Sequence, residues 1–189
     1  MGYLPDVASL VLIQTAIGGV LLLPILPEPV IGPGFFRFNS ILFLALVVIG
    51  LGLLPNVPFR EGSPQILFAF SLLIYHLLTW TKEALVRRIF LILTALIGLG
   101  ALLITPLPAQ THLAISWKDI VVPLNFLVSS LLLGSVVDGM ILGHSYLNIP
   151  ALPTRLLMRF ATIFLVCLLL QGGLALFKDR KSTRLNSSH

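Results

Sequence analysis

The stretch PLNFLVSSLLLGSVVDGMILGH, residues 123–144, decides the fold of this chain. Asp138 is its only charged residue, and the run is long enough to cross a hydrocarbon core of ~30 Å, which takes about 20 apolar residues as a helix. A backbone in lipid must satisfy its own hydrogen bonds, and a single segment does so as a helix. The stretch therefore predicts a transmembrane helix.

Similar apolar runs recur on both sides of it, separated by turns rich in Pro, Gly and Asn. Apolar residues make up 57% of the 189 residues and charged residues only 10%, a balance that excludes a soluble globular domain. We expect an all-α, polytopic transmembrane bundle of about six helices with antiparallel neighbours. The predicted helices lie near 6–27, 38–55, 64–82, 87–105, 120–147 and 154–177.

The predicted organisation is one transmembrane domain over residues 1–180, followed by a short tail over 181–189. The tail, KSTRLNSSH, is polar and has no helical periodicity, so we expect it to be disordered. It also resembles the translated read-through of a sequencing adapter. We therefore interpret the tail as an artefact, and the domain as a truncated piece of a larger bundle.

The formal net charge of +5 comes from basic residues that lie between the apolar runs. This placement is typical of residues that orient a membrane protein and contact lipid headgroups, so we expect the bilayer and not nucleic acid as partner. The positive-inside rule places the turns after the first, third and fifth predicted helices in the cytoplasm. Their basic residues are Arg37, Lys82, Arg87, Arg88, Arg155 and Arg159. The C-terminal basic cluster of Lys178, Arg180, Lys181 and Arg184 favours the opposite orientation.

Polar residues inside the apolar runs are candidates for function. A carboxylate within a span costs a few kcal/mol and normally faces inward, which singles out Asp138. Ser130 and Gly134 precede it at four-residue steps and so share its helix face. We expect the helix over 120–147 to be the central one, with Asp138, Ser130 and Asn125 in a polar core. Asn125 and Gln171 are predicted to make hydrogen bonds between helices.

Two histidines, His76 and His144, each precede a predicted helix end by a few residues, on helices that run in the same direction. Two imidazoles at matched depth could hold a b-type haem, and either one, with Tyr146 nearby, could contact a quinone headgroup. The same residues could instead be ordinary interfacial side chains that bind water or lipid. Glu83 and Arg87, four residues apart, are predicted to form a surface ion pair.

The segments GMILGHSYLNIPALP, residues 139–153, and GPGFFRFNSILFLAL, residues 32–46, resemble a group of uncharacterised bacterial polytopic membrane proteins. In that group a Gly-His-aromatic-Tyr-Leu segment closes a helix; here Ser145 stands at the aromatic position. The resemblance implies a multi-pass protein of the bacterial inner membrane, and it implies no activity.

Two functional hypotheses follow. The first is a non-enzymatic subunit of a membrane electron-transfer or assembly complex, with other membrane subunits as partners and haem or quinone contacts at His76, His144 and Tyr146. The alternative is a small-molecule or ion transporter or channel with Asp138 in the translocation path. An enzyme is less favoured, because the acid and base groups are scattered and form neither a catalytic motif nor a metal-ligand motif.

Overall fold

The computed structural model describes residues 3–53, 59–104, 117–149 and 152–186, and these residues form helices joined by short turns. No strand occurs among them, which confirms the all-α polytopic bundle. A 3-10 turn, Leu23–Ile25, follows the first helix. The α-helices are α1 (Tyr3–Leu22), α2 (Glu28–Ile31), α3 (Pro33–Gly52), α4 (Phe59–Leu78), α5 (Ala84–Ile104), α6 (Trp117–Asn148) and α7 (Arg155–Asn186).

Five helical segments in the described part of the chain are long and apolar enough to cross a membrane. They are Leu4–Ile25, Pro33–Gly52, Ala84–Ile104, Val121–Leu147 and Arg155–Leu174. The remaining predicted helix, α4, has a shorter apolar part, Pro64–Leu78, because its first turns carry the polar sequence FREGSP.

The Pro-rich segment after α1 contains more structure than the predicted turn. It forms the 3-10 turn and the single-turn helix α2, and α3 then begins at Pro33, five residues before its predicted start. Pro33 takes the first helical position, where its missing N–H is not needed. Gly32, between the two helices, has a φ of +89°, a conformation that favours glycine.

The last helix, α7, continues to Asn186 and so includes residues 181–186, which the sequence analysis assigns to a tail. Extending a helix that is already formed needs little free energy per residue, and the segment contains good helix formers. Residues 187–189 lie outside the described residues, and the division into domain and tail stays a prediction.

The central helix is α1, and not α6 as the sequence suggested. Within the apolar window of each span, 61% of residues are buried in α1 and 33% in α6. α1 packs against α3, α5 and α6. Glycines let neighbours approach α1 on more than one side, since a β-carbon added to Gly19 would overlap the Phe43 ring of α3 and one added to Gly134 of α6 would overlap the backbone of Gly18.

Side-chain contacts fix the helix directions. Ser130 lies beside Gln14 and Gly134 beside Gly18, so α1 and α6 are parallel. Sequence neighbours are antiparallel, as predicted. Between α1 and α3 the contacts join Gly19 to Phe43 and Ile13 to Gly50, and between α3 and α4 they join Arg37 to Thr79 and Ser40 to His76. Between α4 and α5 they join Phe68 to Gly98 and Ser71 to Thr94. Between α6 and α7 they join Asn125 to Gln171 and Gly139 to Phe160.

These directions bring the ends of α1, α4 and α6 to the same side as the beginnings of α3, α5 and α7. We call this side the arginine end, because it carries Arg37, Arg87, Arg88, Arg155 and Arg159.

Candidate functional site

An ion pair at the arginine end joins α2 to the beginning of α5. Arg87 Nη2 lies 2.5 Å from Glu28 Oε1, and Arg87 Nε donates a hydrogen bond of 2.7 Å to the same oxygen. Arg87 also donates to the backbone oxygen of Thr81. The two charged side chains are only 13% and 20% exposed, so the pair is partly desolvated. It ties the segment after α1 to the α4–α5 connection.

This pairing corrects the predicted Glu83–Arg87 pair. Glu83 precedes the first residue of α5 and its side chain is exposed, whereas the Glu28 carboxylate is half-buried. A partly buried carboxylate gains more from a cation than an exposed one does, because water screens the exposed charge.

A second cationic contact joins α3 to the end of α4. The guanidinium carbon of Arg37 lies 4.4 Å from the ring centroid of Trp80, within the range of a cation–π interaction. Arg37 Nε also donates a hydrogen bond of 3.2 Å to the backbone oxygen of Thr79. Arg37 therefore holds the beginning of α3 against the last turn of α4.

His76 lies in the last turn of α4, four residues before Trp80, which belongs to the turn after the helix. Its Nδ1 is 2.8 Å from the Ser40 hydroxyl, which in turn donates a hydrogen bond of 2.9 Å to the backbone oxygen of Arg37. A hydroxyl has one proton to donate, so Ser40 accepts from Nδ1–H when it donates to Arg37. In that arrangement Nε2 of His76 carries the free lone pair.

Glu28, Arg37, Ser40, His76, Trp80 and Arg87 together form what we call the interfacial cluster. It is built by α2, α3, α4, the turn after α4 and the beginning of α5, and it combines two cations, one carboxylate, one hydroxyl, one imidazole and an indole. Tyr75, buried beside His76 on α4, lies within electrostatic range of both Glu28 and Arg87.

The other predicted cofactor residues lie elsewhere. The His144 side chain is exposed on α6, and the Tyr146 hydroxyl donates a hydrogen bond to the backbone oxygen of Pro153, which braces the α6–α7 connection. In the described part of the chain, no hydrogen bond joins His76 to His144. Nor does any group of three or more His, Cys, Asp or Glu side chains there have the arrangement of a metal site.

The residues of the predicted polar core lie at different interfaces of α6. Ser130 donates a hydrogen bond of 2.8 Å to the backbone oxygen of Gln14 in α1. Asn125 Oδ1 accepts a hydrogen bond of 3.0 Å from Gln171 Nε2 in α7, which confirms the predicted link between helices. Asp138 is fully buried, and neither of its carboxyl oxygens has a hydrogen-bond partner among the described residues.

Sequence reasoning missed Glu28, Arg37 and Ser40 as functional candidates. The signal for Glu28 was present, because a lone carboxylate stands between prolines at the end of an apolar run. Arg37 was interpreted only as an orientation signal. Their convergence on His76 and Arg87 depends on which helices become neighbours, and local spacing does not determine that.

Fold and cluster together define a multi-pass helical membrane protein that gathers an ion pair, a cation–π pair and a half-buried imidazole at one end of its bundle. Residues 59–189 match the model of the family described as DMSO reductase anchor subunit (DmsC), and the chain belongs to this family. No curated protein and no solved structure matches the chain. The match includes His76, Trp80 and Arg87, whereas Glu28, Arg37 and Ser40 precede it.

Family membership places the chain among the membrane anchor subunits of redox complexes. This agrees with the coarse form of the first functional hypothesis, a membrane subunit of an electron-transfer complex. The resemblance drawn from the segment around His144 agrees with it only in indicating a polytopic membrane protein.

Proposed function

We propose that the chain is a non-enzymatic subunit that anchors a redox complex in the bacterial inner membrane and binds a quinol at the interfacial cluster. The observation that carries the proposal is the half-buried His76 imidazole, held through Nδ1 by Ser40, in a chain of an anchor-subunit family. The other subunits of the complex are its expected partners, and the arginine end faces the cytoplasm in this proposal.

The residues at His76 suit a quinone headgroup better than a haem. A bis-histidine haem needs two imidazoles that converge on one iron, whereas His144 is exposed on α6 and, within the described part of the chain, forms no hydrogen bond with His76. A quinone headgroup needs one or two hydrogen-bonding groups beside an apolar surface that is open to lipid. Leu73 and His76 share one face of α4, Trp80 follows in the turn after the helix, and the Leu73 and Trp80 side chains are exposed.

A quinol supplies two electrons and two protons when it is oxidised. The role of this chain is to bind the headgroup and to receive one of the two protons at His76, while the second proton passes to water at the membrane surface. With Nδ1 held by Ser40, Nε2 of His76 is the atom that accepts a hydrogen bond from a quinol hydroxyl and then its proton. Arg37 and the Glu28–Arg87 pair keep the surrounding helix ends in place, and the electrons pass to a redox centre in another subunit.

The test compares His76→Ala with His144→Ala in the purified protein. We expect His76→Ala to weaken the binding of a soluble quinol analogue roughly tenfold, which is the effect of losing one well-placed hydrogen bond. His144→Ala is the matched control, since it removes an exposed imidazole from the same end and should change the affinity less than twofold. Unchanged affinity in His76→Ala would contradict the proposal.

A reduced-minus-oxidised absorption spectrum distinguishes between haem and quinol, the two redox ligands that the sequence suggests. A Soret band that disappears in His144→Ala would favour haem and overturn the quinol assignment. A quinol-binding subunit without haem gives no such band in either the wild-type protein or the variants.

One observation favours the alternative, a transporter or channel. Asp138 is buried in a span and has no hydrogen-bond partner among the residues that the structure describes, and an ionisable residue in a span commonly marks a transport path. Asp138→Asn should then abolish flux of ions or small solutes into proteoliposomes while leaving insertion intact. Flux equal to that of the wild-type protein, or flux that is absent from both, would reject this alternative.

A further inference from the structure

A groove of about 430 Å³ opens between the 3-10 turn after α1 and the first turns of α7. One part of its wall is polar and cationic and the other is apolar. The lining residues are Ile25, Arg155, Met158, Arg159, Thr162 and Ile163.

The cationic part consists of Arg155 and Arg159, which lie one turn apart on α7, with about 5–6 Å expected between their β-carbons. Both side chains are exposed. Unlike Arg37 and Arg87, neither guanidinium has a hydrogen bond or an ion pair with any residue that the structure describes. Two cations on one helix face without a carboxylate form a site for an anion.

The depth of the groove restricts what that anion can be. Arg155 is the first residue of the span Arg155–Leu174, so the two guanidinium groups lie at the boundary of the hydrocarbon core. Met158 lies between the two arginines, Ile163 extends the groove one turn further into the span, and the Thr162 hydroxyl already donates a hydrogen bond to the backbone oxygen of Met158. A soluble anion would satisfy the arginines and leave the apolar part of the groove unfilled.

We propose that this groove binds one anionic phospholipid, with its phosphate between Arg155 and Arg159 and an acyl chain along Ile25, Met158 and Ile163. Charge complementarity selects the headgroup, and the apolar part of the wall selects a lipid over free phosphate. The site lies on α7, whereas the interfacial cluster is formed by α2 to α5. The proposal therefore does not depend on the quinol assignment.

The test is native mass spectrometry of the detergent-purified full chain with added phosphatidylglycerol, phosphatidylcholine of the same acyl chains, or inorganic phosphate. The wild-type protein should bind phosphatidylglycerol most tightly. In the double variant Arg155→Gln/Arg159→Gln, we expect its affinity to fall roughly tenfold or more, because two cations near the membrane surface are lost. Binding of phosphatidylcholine should not change.

Arg88→Gln is the matched control, because it removes one exposed arginine from the same end of the bundle. It should leave the phosphatidylglycerol affinity within about twofold of the wild-type value, as expected for a residue outside the groove. Met158→Gln changes only the apolar part of the groove, so it should weaken phosphatidylglycerol binding without affecting inorganic phosphate.

Three results would overturn the proposal. Undiminished phosphatidylglycerol binding in the double variant would place the lipid elsewhere. Equal affinity of the wild-type protein for phosphatidylglycerol and phosphatidylcholine would assign the groove to bulk lipid. Inorganic phosphate that binds as tightly as phosphatidylglycerol would make the groove a site for soluble anions. All substituted side chains are exposed, so loss of folding is not expected, and size-exclusion chromatography checks this.

Discussion

The α1–α6 interface and the interfacial cluster hold the same bundle together in opposite ways. At the α1–α6 interface, Gly18 and Gly134 let two backbones approach so closely that a single methyl group has no room. At the cluster, long side chains such as Glu28 and Arg87 reach between helix ends and pair their charges. Added volume should therefore destabilise the α1–α6 interface, whereas loss of a charge should destabilise the interfacial cluster.

The difference follows from the solvent at each depth. In the hydrocarbon core the apolar surface of a helix gains little by meeting another helix, so association depends on close packing of small residues. Near the headgroups, water and lipid phosphates compete for charged side chains, and a partly shielded ion pair such as Glu28–Arg87 stabilises one arrangement of helix ends.

The largest effect is expected from added volume at the α1–α6 interface. Gly134→Ala should destabilise the protein by about 1–3 kcal/mol or more, because the new β-carbon would overlap the backbone of Gly18 and the helices must separate. Gly143→Ala, on the same helix with open space around its Cα, is the control and should be neutral or slightly stabilising. Thermal unfolding in detergent, followed by size-exclusion chromatography, measures both; equal stability of the two variants would refute the close approach.

A smaller effect is expected from lost charge at the cluster. Arg87→Gln leaves the Glu28 carboxylate half-buried without its cation and should cost about 1–3 kcal/mol. Glu28→Gln should cost a similar amount, and the double variant should cost less than the sum of the two single variants. The measurement is the same thermal unfolding assay. Arg88→Gln serves as the control, and additive losses would mean that the ion pair contributes no coupling energy.

The smallest effect is expected where a polar pair lies inside the membrane. Asn125 and Gln171 share one hydrogen bond between α6 and α7, and such bonds contribute roughly 0.6 kcal/mol in membrane proteins. Asn125→Ala and Gln171→Ala should therefore each shift the unfolding midpoint only slightly. A shift as large as that of Gly134→Ala would mean that hydrogen bonding, and not close packing, dominates in the bundle interior.

The sequence was sufficient to predict the helices, because the length of an apolar run and the turn residues at its ends are local properties. It was also sufficient for the antiparallel order of sequence neighbours, since short connections permit little else. It predicted the wrong central helix, α6 instead of α1. Small residues occur on α1 as well as on α6, and a pattern on one helix does not reveal which partner it meets.

The site was harder to predict than the fold. Arg87 has a carboxylate four residues before it, Glu83, and pairs instead with one that is 59 residues away. Likewise, His76 forms a hydrogen bond with Ser40 of α3, and none joins it to His144 among the described residues, although the matched depth of the two histidines suggested that partner. Local spacing identifies partners within one helix. Contacts between helices depend on the packing of α1 against α3, α5 and α6, which was not foreseen.

The parallel packing of α1 and α6 has a consequence for biosynthesis. Gln14 and Ser130, which meet in this interface, are separated by 116 residues. At about 5–20 residues synthesised per second, the α6 residues that pack against Gly18 are made roughly 6–23 s after the corresponding residues of α1. During that interval α3, α4 and α5 are synthesised, and no α6 residue is yet available to pack against Gly18. The close α1–α6 contact therefore forms late in assembly. If translation stalls before α6, the surface of α1 around Gly18 stays uncovered by its partner helix.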